Sequence, residues 1–422
     1  MISHNKIEVF EHERLCIGEK GFSRTHLDAL LKLNEYHDGV YFEAIAKGIK
    51  FNQYVGIIQV DGLTIEINPK ADKEDDDKKW KGVLLQMLQA CGKLKAESMG
   101  AAHVRRQNLN LLEVYFELYL REIDGLIRKG LIKQYRKQTK NTKALKGKLE
   151  FAGNIRHNLV HKERFYTSHQ IYDSNHLIHQ ILFKALDIVE QFTRGTRLYD
   201  LSRRIMLNFP VVEKDNITVQ KIDSIKLDRK SNGYKYGLEL ARLIILNYSP
   251  DISSGKEKMI SLLFDMNQLW EEYILKQLQK ACLNLNIEVS GQESKSFWSH
   301  NSLRPDVVLR KGNETFIIDT KWKKPSTSLA SVGDLRQMYT YCRFWDAKKA
   351  LLLYPGEMIN NKFKEYQTDD YVEYWDGDLG LHNHNKINHL CKMGFITVLD
   401  DNGLLDSTIG RKVLELLEMD SR

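Results

Sequence analysis

Two apolar runs around a tight turn place the strongest constraint on this chain of 422 residues. The runs cover residues 303–309 and 315–319, and Gly312-Asn313 lies between them. A Gly-Asn pair between such runs is typical of a two-residue β-hairpin turn. With these two residues as the loop, Asp306 falls opposite Asp319. The turn therefore predicts a hairpin together with its register.

The register decides which side chains share a face of the hairpin. Directly opposed residues lie on one face, about 4.5–5.5 Å apart at Cβ, so Asp306 and Asp319 are expected to be neighbours, as are Val308 and Ile317. Lys321 follows Asp319 by two residues and points to the same face. The other face is expected to pack against a core through Val307, Leu309, Phe316 and Ile318. Two carboxylates and a lysine are thus predicted at the open end of the hairpin.

This combination indicates metal-dependent chemistry. Two adjacent aspartates repel each other, which destabilises the fold unless a cation neutralises them. Mg²⁺ is the expected cation because it prefers oxygen ligands and keeps several waters. Such an ion activates water and stabilises the charge of an attacked phosphodiester. Lys321 is expected to orient that water, to help deprotonate it and to offset negative charge.

The elements around the hairpin are predicted in the order α-β-β-β-α-β across residues 261–355. Apolar residues at spacings of three and four predict a helix over 261–283, followed by a strand at 286–290. A helix at 333–344 and a buried strand at 350–354 follow the hairpin. Gln337 and Tyr341 lie four residues apart and share a face of the second helix. Glu271 borders the apolar stripe of the first helix and is the candidate third acidic group, whereas Glu272 lies on the opposite side.

The rest of the chain is predicted to be β-rich first and mostly helical afterwards. Residues 1–70 contain short apolar segments at 7–10, 54–60 and 63–67, with a helix near 24–36 and Asp61-Gly62 as a hairpin turn. Helical patterns cover residues 80–135, 172–208 and 233–248. The acidic and basic run at 73–79 is interpreted as a solvated loop or a domain boundary. The expected domains are 1–72, 73–258 and 259–422.

Residues 128–149 form the strongest local charge signal. Nine of these 22 residues are Lys or Arg and none is acidic. Such a segment can neutralise phosphates, and the candidate nucleic-acid-binding residues in it are Lys133, Arg136, Lys137, Lys140, Lys143, Lys146 and Lys148. A solvated basic face and a contact with a protein partner are the alternatives.

Composition excludes several classes of protein. Hydrophobic residues make up 42% of the chain and aromatic residues 10%, enough to exclude wholesale disorder. The net charge of +7 is compatible with a polyanionic partner. Five scattered cysteines favour a reducing compartment, and the absence of a signal peptide or an 18-residue apolar run favours a cytoplasmic protein without a membrane partner. The chain has no P-loop motif and is expected to bind no nucleotide itself.

These residues resemble the PD-(D/E)xK nuclease superfamily, in which Pro305-Asp306 and Asp319-Thr320-Lys321 match the defining motif. Residues 337–341, with Gln337 and Tyr341, resemble the QxxxY motif of the RecB-like branch. The ordered set 145–151, 173–178, 269–274, 316–322, 334–341 and 351–355 is similar to McrC, the nuclease subunit of the McrBC modification-dependent restriction systems. Residues 55–70 resemble the N-terminal segment of longer McrC-like proteins.

The resemblance implies a site and a set of partners. Catalytic residues would be Asp306, Asp319, Lys321, Gln337 and Tyr341. Mg²⁺, for which Mn²⁺ can substitute, would be held by Glu271, Asp306, Asp319 and the backbone carbonyl of Thr320. The partners would be double-stranded DNA, methylated at cytosine, and a McrB-like AAA+ GTPase ring that the chain binds and stimulates. The resemblance also implies a prokaryotic source.

Two other functions stay open at this point. One is a RecB-like DNA repair or phage-defence nuclease that works with a different motor. The other is a non-catalytic activator of a ring ATPase or GTPase, although the complete Asp306, Asp319 and Lys321 set speaks against it.

Overall fold

A computed structural model describes residues 5–60, 63–69, 83–94, 111–250, 258–323, 325, 330–366, 373–375, 382–384 and 389–419. The chain divides into two compact units. The first unit comprises residues 1–6, 57–64 and 108–262, and the second unit comprises 7–56, 65–107 and 263–422. The domain boundaries expected at residues 72 and 258 stay a prediction.

The N-terminal region is β-rich, as predicted, and its helix has the predicted bounds. Its elements are β1 Asn5–Phe10, β2 Arg14–Cys16, α1 Arg24–Tyr36, β3 Phe42–Ile45, β4 Gly48–Phe51, β5 Tyr54–Val60, β6 Leu63–Asn68 and α2 Val83–Ala90. Strands β5 and β6 are neighbours in a sheet, which agrees with the predicted hairpin. The Asp61-Gly62 turn and the charged run 73–79 lie outside the described residues.

The middle of the chain contains more β-structure than the sequence predicts. Its elements are α3 Leu111–Lys129, β7 Gln134–Thr142, β8 Lys148–Leu149, α4 Phe151–Asn158, β9 Phe165–Asp173, α5 Leu177–Thr193, α6 Tyr199–Asn208, α7 Val219–Asp223, a 3-10 helix Asn232–Tyr234, α8 Lys235–Leu246 and β10 Tyr248–Pro250. Strands β7, β9 and β8 form a three-stranded sheet in that order.

Two helix predictions in this region are too long. The helix expected to reach residue 135 ends at Lys129, where Gly130 adopts a φ of 88°, a conformation that terminates helices. The helix expected from 172 starts at Leu177, because residues 165–173 pair antiparallel with residues 134–142. The glycine thus ends the first helix, and pairing with a distant strand overrides the local helical pattern in the second.

The C-terminal part is built around one mixed sheet. Its elements are β11 Lys258–Asp265, α9 Met266–Ala281, β12 Glu288–Gly291, β13 Lys295–Trp298, β14 Asn301–Leu303, β15 Val307–Lys311, β16 Glu314–Thr320, α10 Val332–Trp345, β17 Ala347–Pro355, β18 Ile359–Asn360, β19 Lys364–Glu365, β20 Glu373–Trp375, β21 His382–His384, β22 Leu390–Ile396 and α11 Ile409–Leu416. The sheet has the order β12-β15-β16-β17-β22-β18, and β19 also pairs with β22.

A second, five-stranded sheet has the order β1-β6-β5-β11-β10. The prediction of a helix from residue 261 is therefore wrong at its start. Residues 258–265 are a strand, and α9 begins only after Asp265, whose side chain accepts hydrogen bonds from the backbone N–H groups of Asn267 and Gln268. The apolar run that precedes Asp265 satisfies the spacing of a helix and the demands of a buried strand equally well.

The predicted order of elements after Asp265 is present, with one addition. The additional hairpin, β13 and β14, stands between β12 and β15 and was not predicted. Both faces of the β15–β16 hairpin are buried, because Val308 and Ile317 pack with Met338 and Tyr341 of α10 while Val307 and Ile318 are equally inaccessible on the other side. Helix α10 thus covers the face that carries the aspartates.

Within the described part of the chain, no helix combines the length and the apolar character needed to cross a bilayer.

Candidate active site

The register of the β15–β16 hairpin is the one that the turn predicts. Val307 pairs with Ile318 and Val308 with Ile317 across the antiparallel ladder. Asp306 directly precedes the first paired residue of β15, so the register places it beside Asp319 near the end of β16.

Thr320 fixes the carboxylate of Asp306. Its backbone N–H and its hydroxyl both donate to Oδ2 of Asp306, at 2.7 and 2.9 Å. Two donors on one oxygen leave the other oxygen of this half-buried carboxylate available to a further ligand. Hydrogen bonds to the ionised form offset part of the cost of burying it.

Asp319 is the most deeply buried acid of the site, with only 2% of its surface exposed. Burial, together with the negative charge of Asp306, raises the pKa of Asp319. Burial and the charge of Glu271 likewise raise the pKa of Asp306. The two aspartates therefore act as a coupled pair that resists carrying two negative charges.

Lys321 supplies the positive charge beside this pair. Its Nζ lies 2.8 Å from Oδ2 of Asp319 and 3.9 Å from Oδ1 of Asp334. Burial by itself would lower the pKa of Lys321, but the charges of Asp319 and Asp334 outweigh it and raise that pKa. The ammonium group is consequently held in its charged form.

Glu271 lies in helix α9, and its charge acts on the aspartate pair. Its side chain accepts a hydrogen bond from the amide of Gln292. Burial and the charges of Asp319 and Glu272 raise the pKa of Glu271, against the opposing effects of Gln292 and Arg304. Glu272, on another side of the helix, forms an ion pair with Lys93 at 2.8 Å.

Gln337 and Tyr341 meet on one face of α10. The Nε2 of Gln337 donates to the hydroxyl of Tyr341 at 2.8 Å, and that hydroxyl donates to the carbonyl oxygen of Arg304 at 3.1 Å. This chain of hydrogen bonds ties α10 to the segment that leads into Asp306. Tyr341 is buried, and burial raises its pKa.

Asp334 and Gln292 were not predicted as site residues, and Thr320 was predicted only through its backbone carbonyl. Asp334 lies near both Lys321 and Lys323, Gln292 binds Glu271, and the hydroxyl of Thr320 binds Asp306. Asp334 lies at the start of α10 in segment 334–341, which resembles McrC, so this resemblance was a reason to include it among the site residues. Gln292 offered none, because its role depends on a contact with a helix 21 residues earlier.

The donor set suits a hard divalent cation. Asp306 and Asp319 are carboxylate donors whose ionisation is opposed by burial and by a neighbouring acid, Glu271 for Asp306 and Asp306 for Asp319. Mg²⁺ is commonly held by one or two carboxylates with waters in its remaining positions. Among the described residues, no three His, Cys, Asp or Glu side chains converge as a ready-made metal cage. Glu271 is instead bound to Gln292, so the fit to a cation rests on the aspartate pair.

Comparisons with known proteins define the family. The family described as "McrBC 5-methylcytosine restriction system component" matches residues 49–355, which is most of the chain. The chain belongs to this family. The resemblance that its sequence motifs predict is thereby confirmed at the level of the McrBC family.

Individual McrBC proteins are similar to the chain at low identity. The "Type IV methyl-directed restriction enzyme EcoKMcrBC" of Escherichia coli (strain K12) is 21% identical over 272 residues, covering 58% of this chain and 77% of the relative. A chain in the half-complex of Thermococcus gammatolerans McrB AAA+ hexamers with bound McrC has a TM-score of 0.65 at 19% identity, over 98% of this chain and 99% of that chain. The latter similarity shows a shared fold.

The basic segment of this McrBC family member lies on the β7–β9–β8 sheet of the first unit. Six of the seven predicted nucleic-acid-binding residues are exposed, namely Lys133, Lys137, Lys140, Lys143, Lys146 and Lys148. Arg136 differs, because its guanidinium is paired with Asp173, 3.1 Å from its carboxylate. Arg136 therefore stabilises the sheet, whereas the lysines face solvent.

Helix α4 adds an apolar surface beside these lysines. Gly153 and His157 pack against the ring of Tyr166 on β9, so one face of the helix is occupied. Phe151 and Ile155 of this helix and Leu159, its C-cap residue, follow one another at spacings of four and are 72%, 64% and 73% exposed. We call these three residues the α4 stripe. A continuous exposed apolar stripe of this kind is typical of a protein-interaction surface.

Proposed function

We propose that this McrBC family member is a Mg²⁺-dependent DNA endonuclease subunit with a PD-(D/E)xK core. It cuts 5-methylcytosine-containing double-stranded DNA together with a McrB-like AAA+ GTPase that it binds and stimulates. The observation that carries the proposal is the pair of the half-buried Asp306 and the buried Asp319 at the end of a hairpin, with Lys321 2.8 Å from Asp319. The carboxylates carry an excess of negative charge that a divalent cation would neutralise, and they lie next to the ammonium group of Lys321.

The residues of the chain divide the catalytic tasks. Asp306, Asp319 and the backbone carbonyl of Thr320 would hold Mg²⁺, which supplies a polarised water and neutralises phosphate charge when bound. Thr320 orients Asp306 through two hydrogen bonds. Lys321, kept protonated by Asp319 and Asp334, is placed to stabilise the negative charge that develops on the attacked phosphate.

Helix α10 and Glu271 support this arrangement. Gln337 and Tyr341 fix the segment before Asp306 through the carbonyl of Arg304. Glu271 adds negative charge that favours cation binding, and it is a ligand in the predicted set although Gln292 currently occupies its carboxylate. Mn²⁺ has similar ligand preferences and is expected to substitute for Mg²⁺.

The α4 stripe is our candidate surface for the AAA+ partner. The solved McrBC assembly with a chain of the same fold contains McrB AAA+ hexamers with bound McrC. A stripe of Phe151, Ile155 and Leu159 has the apolar character of a protein interface, and duplex DNA offers no equivalent surface. The neighbouring lysines contact either the ring or the DNA phosphates, and both assignments remain predictions.

Reconstitution tests the proposal. The full chain is mixed with its AAA+ partner, GTP and Mg²⁺ on methylated and on unmethylated DNA. We expect double-strand cleavage of the methylated DNA, and we expect Asp319→Ala to reduce it by about a hundredfold or more while GTP turnover persists. Glu314→Gln is the matched control, since Glu314 is an exposed acid at the other end of the same hairpin.

Each failure has a separate meaning. Wild-type cleavage by Asp319→Ala would show that the site is assigned wrongly. Stimulated GTP turnover without cleavage under any metal would favour the non-catalytic activator. Cleavage that depends on ATP and a different motor would favour the RecB-like alternative.

A further inference from the structure

The unpredicted β13–β14 hairpin carries exposed aromatic residues. Lys295 pairs with Leu303 and Trp298 with Asn301, so Ser299 and His300 form a two-residue turn. A register shift between Ser296 and Trp298 marks Phe297 as a bulge. Bulges redirect neighbouring side chains, and here Phe297 and Trp298 remain 53% and 72% exposed.

Both ends of this hairpin are attached to the candidate active site. On the entering side, the backbone N–H of Gln292 donates to the carbonyl oxygen of Asp306 at 3.1 Å, and its side chain donates to Glu271. On the leaving side, the carbonyl of Arg304 accepts the hydroxyl of Tyr341 at 3.1 Å. The segments on both sides of the hairpin are therefore hydrogen-bonded to residues of the candidate site.

The hairpin is also braced against helix α10. Nζ of Lys295 donates to the carbonyl oxygen of Phe344 at 2.6 Å and lies 4.8 Å from the ring centroid of Trp345. The rings of Phe297 and Phe344 pack edge to face, with centroids 5.5 Å apart. These contacts hold the base of the hairpin and leave Trp298 pointing away from the core, so the exposed ring is presented on a fixed support.

The charge of the hairpin suits a polyanion. Residues 294–304 contain no acid but include Lys295, His300 and Arg304. The remaining polar residues are hydroxyl and amide groups that donate to phosphate oxygens, namely Ser294, Ser296, Ser299, Asn301 and Ser302. The positive charge of this acid-free hairpin complements the negative charge of a DNA backbone that passes the candidate site.

We propose that the β13–β14 hairpin is a DNA-contacting wedge in which Trp298 inserts at a base step next to the phosphate that is cut. This inference rests on the proposed nuclease function. Apolar side chains that enter a groove unstack a base step and bend the duplex, and aromatic rings stack on bases of any sequence. Trp298 would thereby hold the duplex in place over Asp306 and Asp319 without reading its sequence.

The test separates binding from cutting. Wild type and Trp298→Ala are titrated with a short methylated duplex in the presence of the AAA+ partner and GTP. The duplex carries 2-aminopurine at a different position in each experiment. Both proteins are also tested with the additional substitution Asp319→Asn, so that binding is measured on uncut DNA. We expect the fluorescence of 2-aminopurine at one step to change when wild type binds, because the ring of Trp298 replaces the neighbouring base in the stack. We expect Trp298→Ala to abolish that signal and to raise the Kd roughly tenfold.

Two variants make the result specific. Trp298→Phe keeps an aromatic ring and should retain most of the affinity and of the fluorescence change. Tyr36→Ala removes a 61% exposed aromatic residue from helix α1 and should behave as wild type. If Trp298→Ala binds the duplex and changes the 2-aminopurine fluorescence as wild type does, the inference is overturned.

Two further outcomes complete the test. Trp298→Ala could keep its DNA affinity and lose the stimulation of GTP turnover. This result would show that the hairpin contacts the AAA+ partner, and it would also overturn the wedge. If the wild type fails to cut DNA but Trp298→Ala still loses affinity and the fluorescence change, the wedge stands and the nuclease proposal falls.

Discussion

At the scale of single residues, the acids of the candidate site destabilise the fold. Asp306 and Asp319 are held beside each other by the hairpin register. Burial and a neighbouring negative charge raise both pKa values, with Glu271 acting on Asp306 and Asp306 acting on Asp319. A carboxyl group whose pKa is higher in the folded than in the unfolded chain destabilises the fold at neutral pH. Lys321 and Thr320 compensate only in part, so cation binding should be stabilising.

Asp319→Asn should stabilise the metal-free protein at pH 7.5. The substitution removes one of two repelling charges and should raise the free energy of unfolding by roughly 1–3 kcal/mol. The folded wild type binds protons more tightly than the unfolded chain, so its own stability gains as pH falls through the raised pKa values toward the ordinary carboxyl pKa. The advantage of Asp319→Asn should therefore shrink at acidic pH, as measured by denaturant unfolding across pH.

The control for this measurement is again Glu314→Gln. Glu314 is exposed, and Lys348 and the other neighbouring lysines lower its pKa, so removing its charge should not stabilise the protein. An Asp319→Asn protein that is less stable than wild type at pH 7.5 without metal would contradict the repulsion argument. Added Mg²⁺ should stabilise wild type more than Asp319→Asn.

The residue scale also shows what a sequence can and cannot reveal. The placement of Asp306 beside Asp319 was predictable because a two-residue turn fixes the register over the few residues that follow it. Gln292 was not predictable, since its amide reaches Glu271 only through the packing of β12 on α9. Short-range geometry propagates along the hairpin, whereas contacts between distant elements depend on the whole core.

At the scale of elements, one capping residue separates a strand from a helix. Residues 258–265 fit a helical spacing, yet Ser249 and Tyr248 pair with Met259 and Ile260 across an antiparallel ladder. Asp265 then starts α9 by accepting hydrogen bonds from two of its free backbone N–H groups. The capping position sets where Glu271 falls on the helix, so the boundary matters for the site.

Asp265→Ala should destabilise the protein by about 1 kcal/mol, the usual effect of losing an N-cap. Asp265→Asn should cost much less, because an amide oxygen still accepts the N–H groups of Asn267 and Gln268. Urea unfolding of the three proteins measures the difference. Equal losses in Asp265→Ala and Asp265→Asn would assign the effect to the charge of Asp265 rather than to capping.

At the scale of the whole molecule, the charge of +7 is unevenly distributed. The exposed lysines of the β7–β9–β8 sheet belong to the first unit, while the acids of the candidate site belong to the second unit. The sequence predicted this segregation of charge but not the sheet that displays it, because strand pairing between residues 134–142 and 165–173 has no local signal. The α4 stripe was hidden for the same reason.

Ile155→Asp tests whether the α4 stripe docks the AAA+ partner. Ile155 is 64% exposed, so the substitution should leave the fold intact, but a charge in the middle of an apolar interface should weaken the complex by roughly tenfold or more. Both co-elution with the partner ring and stimulated GTP turnover should fall together. Leu207→Asp is the matched control, because Leu207 is a 79% exposed apolar residue at the end of another helix of the same unit. Full stimulation by Ile155→Asp, or equal loss in both variants, would remove the stripe as the docking surface and leave the lysines of the sheet as the surface to test.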